Sequence, residues 1–328
     1  MADIARLSGV SKPTVSRVLN GSPLVAEETR EKVLAVAREH DYRINRTAQR
    51  LRQTRSDSIG VVLDLGSYRS GRIADPFVFD LLAGVSDALA ANNLDLMLTP
   101  PRRRESAGFY HDQIAARMVD GFIFLGQGVR DPVLRELAGH DLPFVVWGAV
   151  DPDEPYCAVG SDNLLGGRLA AAHFARMGRR NWLFVGDTAQ SEVRLRFEGL
   201  ENGAADSPEP VSLERLRCSE MSYTSTYREV AGYLRELPAP DAVFAYSDTA
   251  AMAIVAAFRQ AGLEAPRDYA LVGYNNLPQS AHFTPTLTTI EQQTQVAGAM
   301  LVDKLLEAIG GGRPGSALLP TRLILRET

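Results

Sequence analysis

The feature that most constrains this chain is a regular alternation of β-rich apolar runs and helical patterns from Ser58 onward. The runs read IGVVLDL (59–65), LDLMLTP (95–101), GFIFLG (121–126), PFVVWG (143–148), WLFVGD (182–187), AVFAYSD (242–248) and ALVGYNN (270–276). Helical patterns lie between them near 76–92, 106–118, 132–139, 163–177, 193–204, 223–237 and 250–261. A strand without a polar face must be covered on both sides, so the alternation predicts parallel sheets covered by helices. Seven strands over about 220 residues fit two doubly wound lobes better than one sheet. No internal sequence repeat stands out.

Ligands in such folds bind at the carboxyl ends of the strands. Asp64, Trp147, Asp187, Asp248, Asn275 and Asn276 stand there. Aromatics stacked on the apolar face of a sugar, ringed by carboxylates and amides, would make a carbohydrate cleft. Asp64 and Asp187 read better as caps of the next helix, while Trp147 suits core and cleft wall equally.

Composition matters once it is resolved along the chain. The net charge of −5 over 328 residues speaks against a nucleic-acid partner, but the average hides two parts. Residues 1–57 hold 11 Lys/Arg against seven Asp/Glu, and the remainder 24 against 33. Arg43, Arg46, Arg50, Arg52 and Arg55 fall within 42–56 with no acid among them. A basic head on an acidic body is the asymmetry of a nucleic-acid-binding module attached to something else. A solvated linker accounts for the same charges, and charge alone does not choose.

The head does more to choose. Ile4, Ala5, Val10, Val15, Val18 and Leu19 are spaced for two short helices, broken at Ser8-Gly9-Val10-Ser11. Gly9 can take the positive φ of a sharp corner, Ser11 can cap the second helix, and Pro13 is tolerated in its first turn. That helix runs to about Leu19. A third, Glu27 to about Glu39, turns Val33, Leu34, Val36 and Ala37 toward the same core. This is a helix-turn-helix, and its second helix offers Lys12, Thr14, Ser16, Arg17 and Asn20 to base edges and phosphates. A generic three-helix domain would carry the same polar residues as mere solvated surface.

The stretch from Ile4 to Arg52 closely resembles the N-terminal module of the lactose-repressor/galactose-repressor (LacI/GalR) family, with its V-S-x-x-T-V-S-R-V-L-N core at Val10–Asn20. The resemblance implies that Lys12 and Pro13, after the motif Ser11, help to read the operator and that Arg17 reads a guanine. Thr14, Ser16 and Asn20 match positions that contact backbone or nearby bases. Asn45–Gln53 corresponds to the hinge helix, with Asn45, Arg46 and Arg52 at the DNA and Leu51 as the wedge that opens the central base step. Ala26 stands where serine commonly caps the third helix, which forgoes a cap worth about 0.5–2 kcal/mol. Ile44 replaces the usual proline.

The body is similar to the same family over its whole length, through VGSDNLLGGRLAAAHFARMG, RLRFEG (194–199), DAVFAYSDTAAMAIVAAFRQAGL and the segments ALVGYNN and TPTLTTIEQ. By position the resemblance implies an effector site of Phe77, Trp147, Arg196, Glu220, Asp248 and Asn275. Asn275 replaces the usual aspartate and Ser247 the usual asparagine. An amide both donates and accepts where a carboxylate only accepts, so hydroxyl orientation or ligand identity should differ. The segment 66–76 is longer than usual.

The fold implied is α/β: an N-terminal helix-turn-helix domain plus a two-lobed, doubly wound, periplasmic-binding-protein-like effector domain. Its parts are a DNA-binding domain at 1–42, a hinge at 43–57 and an effector and dimerisation domain at 58–328, with crossovers near 158–164, 288–292 and 317–322. The partners implied are double-stranded operator DNA, a second copy of the chain, and a sugar or sugar derivative that releases the DNA. A corepressor acting with opposite sign is the near alternative. A solute-binding protein of a transporter is the distant one, and it would have no use for residues 1–57. TRLILRET ends the chain after a strand without a heptad tail, which predicts a dimer rather than a tetramer.

Other classes find little support. No apolar run approaches the roughly 18 residues of a membrane span, and no basic-then-apolar start marks a secretory signal, so the chain reads as cytoplasmic. Cys157 and Cys218 lack metal or disulfide spacing and read as small core residues. The G-x-G-x-x-G string at Gly310–Gly315 follows a helix and precedes a strand, the reverse of a dinucleotide site, and reads as a turn. The five histidines are scattered, and His173 reads as structural. No cofactor and no enzymatic activity are expected.

Overall fold

The computed structural model describes residues 1–19, 22–40, 42, 55–63, 76–99, 107–126 and 131–328. The expectations for Asn20, Asn45, Arg46, Leu51, Arg52 and Asp64 lie outside these residues. The chain divides into two compact units, Met1–Ser56 and Asp57–Thr328.

The first unit is built from α1 (Ala2–Ser8), α2 (Lys12–Leu19) and α3 (Glu27–Glu39). Gly9 closes α1 at φ 65°, the left-handed corner its missing Cβ permits. Ser11 Oγ accepts the Thr14 N–H at 3.3 Å and starts α2. Ile4, Ala5, Val15, Val18, Val33 and Ala37 form the buried core. Leu34, expected to join them, is 37% exposed; Val33 and Ala37, four residues apart, already occupy the inward face. Ala26 caps α3 with no side-chain hydrogen bond, as the substitution for serine implies.

The second unit contains two six-stranded sheets. In chain order its elements are β1 (Ser58–Leu63), α4 (Phe77–Ala91), β2 (Asp95–Thr99), α5 (Ala107–Ala115), β3 (Gly121–Leu125), α6 (Pro132–Gly139), β4 (Phe144–Trp147) and β5 (Ala158–Ser161). The chain continues through α7 (Asn163–Arg176), β6 (Asn181–Val185), α8 (Ser191–Ala205), β7 (Ser212–Leu216), α9 (Tyr223–Glu236), β8 (Ala242–Ala245), α10 (Asp248–Gln260) and β9 (Ala270–Asn275). A 3₁₀ turn at Pro278–Ala281, β10 (Thr288–Glu291), α11 (Thr294–Ile309), β11 (Ala317–Leu319) and β12 (Arg322–Ile324) complete it.

The first sheet runs β11-β5-β4-β3-β1-β2 and the second β12-β10-β9-β8-β6-β7. The two lobes share one strand order, a structural duplication that the sequence does not display. The pairings are parallel, as expected, apart from β12 against β10, which is antiparallel. β1, β3, β4, β8 and β9 are buried along their whole length, as apolar runs without alternation require.

The chain passes between lobes at Asp162, at Gln292–Gln293 and at Pro320–Thr321, and the three passages are stitched together. Asp162 N–H donates to Leu319 O at 2.8 Å, Thr321 Oγ1 to Asp162 O at 3.2 Å, and Gln293 Nε2 to Pro320 O at 2.6 Å. The Gly310–Gly315 string lies between α11 and β11, with Gly311 at φ 85°.

Candidate functional site

Two sets of residues carry the functional expectations, one in each unit. In the first, Ser11 just before α2 and Lys12, Pro13 and Arg17 within it are exposed, while Thr14 and Ser16 are half-buried beside them. The cause is the period of the helix: Val15 and Val18 point into the core, which turns the intervening residues outward. Ser11 Oγ and Thr14 Oγ1 lie 2.8 Å apart, so the start of the helix is fixed by its own hydroxyls.

In the second unit a cleft of about 730 Å³, its open mouth included, lies between the lobes. It opens at the carboxyl ends of β3, β4 and β9, close to the points where strand order reverses in each sheet. Phe77, Val78 and Leu81 of α4 and Trp147 at the end of β4 form its apolar wall, with Phe77 and Trp147 ring centroids 6.1 Å apart. Trp147 is 6% exposed and serves both as core and as wall. Ser161, Asn163, Asn275 and Gln292 bring polar groups, and Glu192 and Arg196 bring charge.

Arg196 is held by several contacts. Its Nε donates to Asn163 Oδ1 at 2.8 Å, Nη1 donates to the Tyr246 carbonyl, and the guanidinium lies 3.6 Å from the Tyr274 ring centroid. Burial pushes the Tyr274 phenol up to about 12, so the ring beneath the cation stays neutral. The local fold requires glycine to bring these groups together. A Cβ on Gly167 would lie 2.1 Å from Arg196 O, and one on Gly199 would lie 2.1 Å from Leu164 O, so α7 and α8 meet backbone to backbone.

Glu192 precedes Arg196 by one helical turn and faces the same cleft. Burial raises its carboxyl pKa. Its own backbone N–H, Arg196 and the backbone N–H of Ala149 across the cleft pull it the other way. Sequence reading passed over Glu192, although the i, i+4 relation to Arg196 places it on the same face. It also passed over Asn163 and Gln292, which follow strand ends at the interlobe passages.

Of the six effector-site expectations, the structure brings Phe77, Trp147, Arg196 and Asn275 together around the cleft. Asn275 sits at φ 114° and accepts a hydrogen bond from Gln292 Nε2. Glu220 is exposed and its neighbour Met221 lines the cleft instead. Asp248 lies outside the lining. It is fully buried, with Oδ2 accepting Leu277 N–H and Ser280 Oγ–H, each at 2.7 Å, and Oδ1 accepting Thr289 Oγ1–H. These donors tie α10 to the turn after β9 and to β10, so the carboxyl serves packing. Asp187 accepts the Ala189 N–H at 3.1 Å and faces Arg217 at 3.2 Å; it holds the turn before α8 and does not cap that helix as expected, because the N-cap position falls at Gln190. Among the described residues no cluster of His, Cys, Asp or Glu could hold a metal ion, and both cysteines are buried.

A three-helix head with a polar, hydroxyl-capped second helix, joined in one chain to two like α/β lobes around a polar cleft, defines a DNA-binding regulator of the ligand-sensing type. Comparison with known proteins agrees. The family described as bacterial regulatory proteins, lacI family, matches residues 1–45, and the periplasmic binding protein-like domain matches residues 171–328. The repressor PurR of Photobacterium profundum is 28% identical over 317 residues, 94% of this chain and 91% of that protein. The crystal structure of the Lac repressor dimer bound to operator and the anti-inducer ONPF superimposes with a TM-score of 0.86 at 27% identity, covering 99% of this chain and 97% of that one. The complex of the transcriptional regulator CelR with cellobiose gives 0.73 at 28% identity, covering 99% and 98%. The chain belongs to the lacI family of bacterial regulatory proteins and is a DNA-binding transcriptional regulator, not an enzyme.

Proposed function

We propose that this regulator is a cytoplasmic homodimeric repressor, released from a pseudo-palindromic operator when a sugar or sugar derivative occupies the cleft. The observation that carries the effector class is the composition of the cleft: the Phe77–Trp147 wall faces Asn163, Asn275, Gln292 and Arg196. Such a wall suits the apolar face of a pyranose, and amides suit its hydroxyls, because each amide both donates and accepts. The CelR relative, whose complex contains cellobiose, supports the same class. The Lac repressor, a dimer on operator, supports the assembly.

On the DNA side, Ser11, Lys12, Pro13, Thr14, Ser16 and Arg17 are the proposed contacts of α2. Asn20, Asn45, Arg46, Leu51 and Arg52 join them by their place in the family pattern. A two-fold dimer would set two recognition helices one duplex turn apart. Ligand must bind the two lobe arrangements unequally, with a typical coupling of about 1–3 kcal/mol.

The test takes the full-length chain through selection on random duplex DNA, then a thermal-shift series with cellobiose, maltose, glucose and galactose. A palindromic consensus, and a sugar that raises the melting temperature while weakening binding to that consensus, are the expected results. Absence of a palindrome would sink the operator reading. A sugar that strengthens DNA binding would make the effector a corepressor, and a flat response to every sugar would overturn the effector class.

A further inference from the structure

The cleft wall on α4 and the interlobe passage that leads into α11 are joined at two points. Thr294 Oγ1, at the start of α11, donates to Asp80 Oδ2 in the first turn of α4 at 2.8 Å. Four residues further along each helix the two backbones touch. A Cβ on Gly298 would lie 2.2 Å from the Gly84 carbonyl carbon, and one on Gly84 would lie 2.6 Å from Thr294 O. Asp80 and Gly84 share one face of α4, Thr294 and Gly298 one face of α11.

What each helix is attached to gives the contact its meaning. α4 carries Phe77 and Val78 into the cleft. α11 begins directly after Gln292, which lines the cleft and donates to Asn275 at the end of β9, and Gln293, which sits at φ 52°. Asp80 and Thr294 do not line the cleft themselves. Contact between backbones leaves no flexible side chain to absorb a shift, so sliding α4 over α11 breaks the packing outright. The Thr294–Asp80 bond fixes the register at the end nearer the passage.

Taking the cleft as the effector site, we propose that Asp80 and Thr294 are positioning residues that make the α4 wall move with the 292–293 passage. A displacement felt at Asn275 and Gln292 then reaches Phe77 and Val78 as the motion of a helix pair. Without the hydroxyl–carboxylate bond, only the Gly84–Gly298 contact one turn further along holds the pair, and the end of α4 that carries Phe77 and Val78 can lag behind.

Hydrogen exchange on the full-length chain tests this without any ligand. Gln292→Ala perturbs the passage from within, and exchange is followed at 77–91, with β1 and β3 amides as the folding control. With Thr294 intact, Gln292→Ala should speed exchange in α4 by about tenfold. The same change combined with Thr294→Val should alter α4 less than about twofold relative to Thr294→Val alone. Thr294→Ser and Asp80→Asn, which keep a donor and an acceptor, should restore the coupling, a rescue that a purely structural contact would not track. An equal response of α4 to Gln292→Ala with and without the hydroxyl overturns the proposal. Cellobiose serves as a second driver: it should protect 77–91 and 292–298 together in the parent and only 292–298 in Thr294→Val. A parent that ignores cellobiose counts against the sugar reading alone, because the Gln292→Ala comparison still decides the role of the pair.

Discussion

Arg196 Nε donates to Asn163 Oδ1 at 2.8 Å, and this bond joins the first turn of α7 to α8 at the floor of the cleft. Asn163 is the residue directly after Asp162, where the chain crosses from one lobe to the other, and it is the first residue of α7. The cation is therefore placed by the passage itself before any ligand arrives, with its orientation already fixed.

Replacing Arg196 by lysine keeps the charge and loses the fork. An ammonium cannot bridge Asn163 Oδ1 and the Tyr246 carbonyl in one plane or stack on Tyr274, and buried acceptors are left short of donors. Arg196→Lys should cost about 1–3 kcal/mol of stability in urea unfolding. It should also abolish the ligand response while leaving binding to operator DNA intact. A variant with parental stability and response would move the effector site elsewhere.

Glu192 should reveal itself through pH. Burial raises its folded pKa above the ordinary carboxylate value of 4.5, so the folded chain holds the proton more tightly than the unfolded one. Stability from this group is complete below about pH 4.5 and is lost as pH rises through the raised folded value. Glu192→Gln removes the ionisation, and its melting temperature should exceed that of the parent at pH 7.5 but not at pH 4.5. Equal shifts at both values would show that Glu192 is solvated in the folded chain.

The parts of the fold legible in the sequence were those in which side-chain type alone decides burial. The runs at β1, β3, β4, β8 and β9 have no polar face and could only be interior strands. β7 escaped the reading because SLERL, on an exposed edge, has only two apolar residues, three apart, and so lacks the alternation of a half-buried strand. β5, β10, β11 and β12 are three or four residues long, too short for any period to show. Arg196 and Asn275, which line the cleft, were singled out through family likeness. Asp248 was singled out by the same route but lies outside the cleft lining, since position in a motif does not say which way a carboxyl turns. Glu192 went unread because a glutamate on an amphipathic helix is most often solvated, whereas this one lines the interlobe cleft.

In the head, Arg17 is exposed and outside the core, so its role can be separated from folding. Arg17→Ala should reduce preference for the selected consensus by about 1–3 kcal/mol, with little change on random duplex or in melting temperature. Gel-shift titrations at fixed salt on both DNAs would show it. Unchanged preference would remove α2 from base reading.

Ala26 offers the converse test. It caps α3 at φ −55° and ψ 140°, a backbone geometry that serine adopts without strain, yet it has no side chain to offer the first turn. Ala26→Ser should stabilise the head by about 0.5–2 kcal/mol, because a hydroxyl can accept one of the orphan N–H groups of α3. Ser11→Ala should destabilise by a similar amount through loss of the Thr14 N–H contact. Amide exchange in α2 and α3 of the full chain reports both changes, and unaltered exchange in α3 of Ala26→Ser would show that the serine leaves the first turn uncapped.

Asp248 yields the last prediction, and it concerns packing alone. Its two oxygens accept from the Leu277 N–H and from the hydroxyls of Ser280 and Thr289, all in the interior of the second lobe. The hydroxyls can turn to accept from an amide, but the Leu277 N–H can only donate. Asp248→Asn must therefore keep its single oxygen toward Leu277 and Ser280 and present its amine to Thr289, at a cost of about 1–2 kcal/mol. Asp248→Ala leaves the Leu277 N–H buried without an acceptor and also opens a void, and about 3–5 kcal/mol is expected. The affinity of folded Asp248→Asn for an identified effector should equal that of the parent, measured by calorimetry below the melting temperature of the variant. A loss of affinity larger than about tenfold with stability unchanged would return Asp248 to the binding site.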